Sequence, residues 1–371
     1  MIISSLRTAA FRNLADVAVN VCAKNVFLVG KNGQGKTNFI EALYFCAYAS
    51  SFRGAKDVNL ANTNEKNFSV EIKLVENKFN ETESGDVLVK IEKEKKTVFI
   101  NGKKSEDRKE LLSVVPCIVF CHEDMNFVNG SPEQRRWFFD QVLSLYDPVY
   151  LDDLRRYKKA VKSRNAILRD NLKQKLTENI DAILDALDHQ CSFYGTRLME
   201  KRETACALFS EIFQPLYSEV SGIAGIGVKY APSWKSADET AALKQLASKR
   251  PVEMAAGISL SGPHRDRYSF AIDGEDFVAN ASTGQRRLLA LLLRVSQARM
   301  FSRTTGKKPV LLLDDVLLEM DGEKRHRFFS ALPDYSQAFF TFLPEEPFRQ
   351  YQSDDTIVYN VCDGSLELVA K

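Results

Sequence analysis

Gly30-Lys31-Asn32-Gly33-Gln34-Gly35-Lys36-Thr37 is the stretch from which the rest of the chain is read. It follows Val26-Phe27-Leu28-Val29, an apolar run that predicts a short buried strand, and leads into a helix expected from Thr37 to about Ala49. Strand, glycine loop and helix in that order, with Gly30, Gly35, Lys36 and Thr37 at Walker A spacing, predict a phosphate-cradling loop. The glycines let backbone N–H groups converge on phosphate oxygens at the positive end of the helix. Residues Gly30, Lys31, Asn32, Gly33, Gln34 and Gly35 form the cradle, Lys36 is the point charge between β- and γ-phosphates, and the Thr37 hydroxyl is the Mg²⁺ ligand. A glycine turn without function is the bland alternative, and the flanking strand and helix argue against it.

Working outward, Ile2 to Leu6 and Val17 to Val21 read as strands. From Phe68 to Ile100 the pattern alternates, with Val70, Ile72 and Leu74 on one face, then Val87, Val89 and Ile91, then Val98 and Ile100. These predict antiparallel strands, with Asn101-Gly102 as a hairpin turn and the charged run Lys93 to Lys96 on an exposed edge. From Ser131 to about Leu246 the texture is helical, opening on the cap Ser131-Pro132-Glu133-Gln134 and carrying Leu154, Val161, Leu168 and Leu172 at helical spacing. A Gly- and Pro-rich gap runs from Ser221 to Trp234. Strand character returns at Ile258 and at Tyr268 to Ile272, a helix is expected from Gly284 to Phe301, and Val310 to Leu313 and Gln337 to Leu343 close the pattern as strands. The expectation is an α/β head domain built from both ends of the chain, residues 1–128 and 252–371, interrupted by a helical, lever-arm-like insertion over 129–251.

With 371 residues, 44% apolar and 27% charged, the chain is too long for one ordinary core and has no apolar run of membrane-spanning length. The start Met1-Ile2-Ile3-Ser4 lacks a secretory pattern, and the seven scattered cysteines read as reduced apolar residues, so the cytoplasm is expected. Cys117, Cys121 and His122 invite a metal reading. The core-strand pattern around them and the absence of a second ligand pair set it aside.

Two further motifs choose among P-loop classes. Val310-Leu311-Leu312-Leu313-Asp314-Asp315 is an apolar strand ending in acids, the Walker B arrangement, with Asp314 on the Mg²⁺ side and Asp315 where a water-activating carboxylate is expected. Ser282-Thr283-Gly284-Gln285-Arg286-Arg287 opens a helix and makes an anion site of its N-terminus. By itself it is an ordinary capped helix. About thirty residues before the Walker B strand, it stands where cassette ATPases carry their signature.

An ordered series carries a resemblance over most of the chain: Phe11-Arg12-Asn13, Gly30 to Thr37 continuing into Asn38-Phe39-Ile40-Glu41-Ala42, Ser51-Phe52-Arg53, Glu123-Asp124, and Pro132 with Arg135-Arg136. It continues through Tyr157 with Arg164-Asn165, Ser261-Gly262-Pro263-His264-Arg265-Asp266, Ser282 to Gln285, and Leu311 to Asp315. The chain resembles the RecF family of DNA replication and repair ATPases, in the SMC-like branch of the cassette heads. The resemblance implies an ATP-dependent homodimer, each nucleotide held between one subunit's Walker motifs and the other's signature, with Ser282, Gly284 and Gln285 acting in trans. It implies Arg12 and Asn13 on the adenine side, Glu319-Met320-Asp321 in the loop crossing the dimer, and Thr341 where many cassettes have histidine. Thr341 and the short Asp315 suit a slow hydrolytic switch. Work at single-stranded gaps or junctions, in DNA damage and SOS responses, with RecO and RecR as partners in loading a recombinase, is likewise implied.

His122, where the family has proline, and Arg267, where a second acid follows Asp266, are departures. For DNA itself the residues supply a basic stripe, Arg155, Lys159, Lys162, Arg169 and Lys173, in a segment from Leu151 to Lys175 with nine Lys or Arg against three Asp. Such a stripe tracks phosphates without reading bases, and a solvated helix face is its plain alternative. No aromatic platform is evident from sequence. A transporter-driving cassette ATPase needs a glutamate after Asp314, a histidine near Thr341 and a glutamine loop. A small-molecule P-loop kinase has no use for Ser282 to Gln285.

Overall fold

A computed structural model describes residues 1–371 apart from 64, 78–79, 108, 174–178, 317–321 and 371. The chain divides into two compact units, Met1–Asp124 with Phe301–Lys371, and Met125–Met300.

The first unit begins with β1 (Ile2–Ala9), β2 (Ala18–Asn20), β3 (Asn25–Val29), α1 (Lys36–Tyr48), β4 (Phe68–Asn77), β5 (Asn80–Glu92), β6 (Lys95–Ile100), β7 (Lys103–Ser105), α2 (Lys109–Val114) and β8 (Cys117–Phe120). The second unit supplies α3 (Met125–Asn129), α4 (Pro132–Tyr146), α5 (Pro148–Leu172), α6 (Ile180–Ser221), β9 (Gly227–Ala231), α7 (Glu239–Ala256), β10 (Arg267–Ile272), β11 (Glu275–Asp276), α8 (Phe277–Asn280) and most of α9 (Thr283–Thr305). The chain then returns to the first unit with β12 (Val310–Leu313), α10 (Gly322–Ala331), β13 (Gln337–Phe342), β14 (Thr356–Cys362) and β15 (Ser365–Ala370).

The first unit holds two six-stranded sheets, β2-β1-β4-β5-β6-β7 and β15-β14-β3-β13-β12-β8. All pairs of the first are antiparallel, and all of the second are parallel except β14 with β15. Every residue of β3, β8, β12 and β13 is buried, which is why these strands read as unbroken apolar runs. Helix α1 bridges the sheets: Phe39, Leu43 and Phe45 share one core cluster with Val70 and Val89 of the antiparallel sheet and Val26 and Leu312 of the parallel one. Cys117 and Cys121 are buried in this unit.

The second unit packs its helices with a small sheet, β11-β10-β9. Its core carries charge: Arg202 bonds Asp140 at 2.7 Å and Asp266 at 2.8 Å, and Arg164 meets Asp188 at 2.6 Å and Glu253 at 2.7 Å. Removing one partner from such a buried pair costs about 3–5 kcal/mol, because the other charge is stranded.

Five expectations are corrected. The gap from 221 to 234 contains β9, which pairs with β10 from Gly227↔Ala271 to Ala231↔Arg267. That pairing ties residues far beyond 251 to the helical unit, so the compact division falls at Met125 and Met300. Ile258 lies in no strand, and Lys93 and Glu94, with φ of 50° and 62°, form the turn between β5 and β6. Gln337 to Phe342 does not close the sheet: β14 adds to the other side of β3, and β15 returns antiparallel to it. None of the described helices is long and apolar enough to cross a membrane.

Candidate nucleotide site

The ends of β3, β13 and β12 lie side by side, so the glycine loop after β3, Thr341 on β13 and Asp314-Asp315 after β12 converge at the carboxyl edge of a parallel sheet. Gly35, with φ of 116°, precedes the first turn of α1. Lys36 is buried, its ammonium donating to the carbonyls of Gly30 at 2.6 Å and Lys31 at 3.1 Å. The charge is therefore held over the cradle.

Thr37 Oγ1 donates to Asp314 Oδ1 at 2.9 Å. Burial, and next the negative charge of Asp315, push the Asp314 carboxyl up to about 7, against the opposing effect of the Thr37 bond. Asp315 has a φ of 50°, a left-handed conformation that Asp adopts more readily than most residues. Its N–H donates to Thr341 Oγ1 at 2.7 Å. The Thr341 hydroxyl lies 3.0 Å from Asp315 Oδ1 and 3.4 Å from Asp314 Oδ1, and its one proton serves one carboxylate at a time. A hydroxyl and crowded carboxylates with too little positive charge are the donor set that a hard divalent cation completes.

A cavity of about 590 Å³ opens beside the loop, bounded by Asn32, Gly33, Gly35, Lys36, Thr37 and Asp315 on the side of the glycine loop and by Arg12 and Asn13 as further lining. Arg12 is fixed by a two-pronged pair with Glu41, Nε at 2.9 Å and Nη2 at 3.1 Å, and donates through Nη1 to the Asn59 carbonyl at 3.0 Å. Glu41 is wholly buried and also accepts from Ser51 Oγ. Asn13 donates to the Gly33 carbonyl at 3.5 Å and accepts from Asn38 at 2.7 Å. The cavity has a further wall that sequence reading missed, Asn59, Ala61, Asn62 and Thr63, with Asn38 and Arg53 alongside. That wall is made by tertiary pairing: Phe11 bridges Ala61, Arg12 N–H reaches the Leu60 carbonyl at 2.8 Å, and Asn62 N–H the Ala10 carbonyl at 2.8 Å.

In the second unit, Ser282 and Gln285 cap α9 reciprocally: Gln285 N–H donates to Ser282 Oγ at 3.2 Å, and Ser282 N–H to Gln285 Oε1 at 2.7 Å. Ser282, Thr283 and Gly284 are exposed. Gly284 has no left-handed φ, and a Cβ on it would meet nothing within 4 Å. Nothing within its own unit asks for glycine there.

A family model described as the RecF/RecN/SMC N-terminal domain matches residues 2–361. A protein of Treponema pallidum (strain Nichols), described as DNA replication and repair protein RecF, is 41% identical over 355 residues, 96% of this chain and 98% of that protein. The chain belongs to the RecF family. A member from Shouchella clausii (strain KSM-K16) is 32% identical, with 99% of this chain and 98% of the relative covered. A solved structure described as the recombination mediator protein RecF-ATP in the RecFOR pathway superposes with a TM-score of 0.88 at 25% identity, covering 99% of this chain and 97% of that one. The fold is accordingly the cassette-type α/β head with a helical insertion.

The two residues read from the sequence as departures from the family's pattern, His122 and Arg267, both lie exposed. His122 is exposed at the start of a short 3-10 turn, and the buried Asp124 at the end of that turn accepts the Cys121 N–H at 3.1 Å. Arg267 is exposed at the start of β10. The residues Glu319-Met320-Asp321 lie outside the described ones.

Arg155, Lys159, Lys162 and Arg169 lie exposed on α5, with Lys173 at its C-cap, and Arg155 is 3.9 Å from Asp152. Arg164, counted in the same basic segment, is buried and belongs to the core. One aromatic neighbour of α5 comes from α6, where the Tyr194 ring centroid lies 5.7 Å from Arg156; within α6 itself Arg197 sits 5.4 Å from the ring centroid of the exposed Phe193.

Proposed function

We propose that this chain is an ATP-switched, DNA-binding clamp protein of replication and recombinational repair, working as a homodimer whose two nucleotide sites are each shared between subunits. The cradle from Gly30 to Gly35 takes the phosphates, Lys36 sets its charge between the outer two, and Arg12 and Asn13 bound the base side. Thr37 and Asp314 are the Mg²⁺ ligands, and their hydroxyl-carboxylate pair fits that role. A bound Mg²⁺ supplies positive charge against the β- and γ-phosphates. Asp315 is the water-positioning carboxylate, oriented by Thr341 through its backbone and its side chain. A short acid paired with a threonine suits slow turnover, so hydrolysis acts as a timer.

The observation that carries the dimeric reading is Gly284: exposed, helical, and without a neighbour to explain it. A helix start bearing Ser282, Gly284 and Gln285 allows close approach of an anion, and the γ-phosphate held by a second copy is the anion that fits. The stripe Arg155, Lys159, Lys162, Arg169 and Lys173 follows DNA phosphates, and single-stranded or gapped DNA is the substrate that family membership supports. The helical unit is the arm that carries this surface. Membership in the RecF family supports RecO and RecR as partners and recombinase loading as the outcome.

DNA binding measured with ATP, with ADP and without nucleotide tests the switch. Tight binding is expected with ATP alone. Equal affinity in all three conditions would remove the nucleotide from the DNA-binding cycle.

A further inference from the structure

The turn between β14 and β15 lies against the back of the glycine loop. Gln34 Oε1 accepts the Asp363 N–H at 2.8 Å, and the Gln34 carbonyl accepts the Gly364 N–H at 2.8 Å. The Gly364 carbonyl in turn accepts the Ala15 N–H at 2.9 Å, tying the same turn to the segment that bears Asn13. Contact here is closer than side chains allow. A Cβ on Gly364, whose φ is 78°, would fall 1.7 Å from the Asn13 carbonyl oxygen, and one on Gly30 would fall 2.4 Å from the Val361 carbonyl oxygen. A Cβ on Gly35 would be 3.3 Å from the Gly364 Cα, whereas one on Gly33 would meet nothing within 4 Å.

Glycines in a phosphate loop are ordinarily explained by the ligand. Here Gly30 is also required by the backbone of the hairpin behind it, Gly35 packs tightly against the same hairpin, and Gly33 alone of the three faces open space. The loop is thus moulded from behind before any phosphate arrives.

We infer that the C-terminal hairpin turn Asp363-Gly364 sets the nucleotide-ready shape of the P-loop, with Gly364 and Gln34 as positioning residues for nucleotide affinity. This rests on reading Gly30 to Thr37 as the nucleotide site. A loop held in its binding shape is populated in that shape before the ligand comes, and apparent affinity falls by whatever fraction of that population is lost. Phosphates contact the loop in ATP and ADP alike, so both nucleotides feel the loss. Once bound, ATP restores the shape, and turnover at saturation does not change.

The test is calorimetric binding of ATP and ADP to full-length Gly364→Ala and Gln34→Ala, with Gly102→Ala as the control. Gly102 has a φ of 70° in the β6–β7 turn and open space around it, so alanine there brings the same backbone strain without touching the P-loop. Gly364→Ala is expected to weaken both nucleotides about tenfold while leaving turnover at saturating ATP within about twofold of wild type. Gln34→Ala, which deletes one bond and keeps the backbone, is expected to weaken both about threefold and serves alone if Gly364→Ala does not fold. Gly102→Ala should lower the melting temperature and leave affinity intact. Wild-type affinity in Gln34→Ala, or equal losses in Gly364→Ala and Gly102→Ala, would overturn the inference. A wild type that binds neither nucleotide would overturn the P-loop reading beneath it.

Discussion

The two stretches expected to meet a nucleotide differ in how much of their surroundings they already possess. Around Gly30 to Thr37 several side chains are already held by their surroundings: Lys36 on two carbonyls, Thr37 on Asp314, Thr341 on Asp315, Arg12 on the buried Glu41, and Gln34 on the C-terminal hairpin. Around Ser282 to Gln285, among the described residues, the side-chain bonds close the helix start upon itself, apart from a long one of 3.5 Å from the Tyr217 hydroxyl to the Gln285 carbonyl, and Gly284 stands in open space. One is a site arranged in advance, the other a surface. A half-site that binds its ligand in any state needs rigidity, whereas a half-site used only when a second copy arrives needs accessibility and a small residue at the point of approach.

The largest effect that separates the two is Lys36→Ala, expected to weaken ATP at least about a hundredfold and to abolish ATP-dependent dimerisation and DNA retention. Calorimetry and sedimentation measure these. Asp315→Asn comes next: ATP binding, dimerisation and DNA retention persist, but hydrolysis falls by about 10² or more, trapping the closed dimer. Ser282→Arg should leave ATP binding by the monomer within about threefold of wild type while removing the dimer, since it blocks only the accessible half. A large loss of monomer affinity in that variant would break the comparison. Smaller again, reversing Arg155, Lys159 and Lys162 to Glu should weaken DNA binding about tenfold at moderate salt and flatten its salt dependence, with ATP turnover in the absence of DNA untouched. Unchanged affinity would exclude α5 from the DNA surface.

A last effect, on stability rather than on binding, concerns the unit that carries the signature. Burial, reinforced by the charges of Arg265, Arg136 and Arg164 against the opposing bond to the Ser259 carbonyl, holds His264 down to about 4, with the Tyr157 hydroxyl 2.7 Å from its Nδ1. An unfolded histidine titrates near 6.5, so between about 4 and 6.5 the unfolded chain binds a proton that the folded one refuses. Stability from this group is complete above 6.5 and declines as pH falls, by about 1.4 kcal/mol per pH unit in that window. His264→Gln should reduce that slope in denaturant titrations. An identical slope would show that His264 is not buried neutral.

Legibility from sequence followed locality. The P-loop, the Asn101-Gly102 turn with φ of 52° and 70°, the Ser131–Gln134 capping box and the Ser282–Gln285 cap are written in neighbouring residues, and each lies where the spacing predicted. The wall from Asn59 to Thr63 has no periodicity and exists because Phe11 pairs with Ala61, so no local signal marked it. Strand β14 pairs with β3 about 330 residues away, with Val358 opposite Phe27 and Tyr359 opposite Leu28, and β9 pairs with β10 across helix α7. Those pairings moved the domain boundary and brought the hairpin behind the P-loop. The family resemblance reached the motifs but not the hairpin or the Asn59–Thr63 wall.

The central claim is that Gly30 to Thr37 is one half of a site completed by Ser282 to Gln285 of a second copy. Sedimentation of the wild-type chain with and without saturating ATP tests it most directly. A monomer without nucleotide and a dimer with ATP is the predicted result; a monomer under saturating ATP would contradict it.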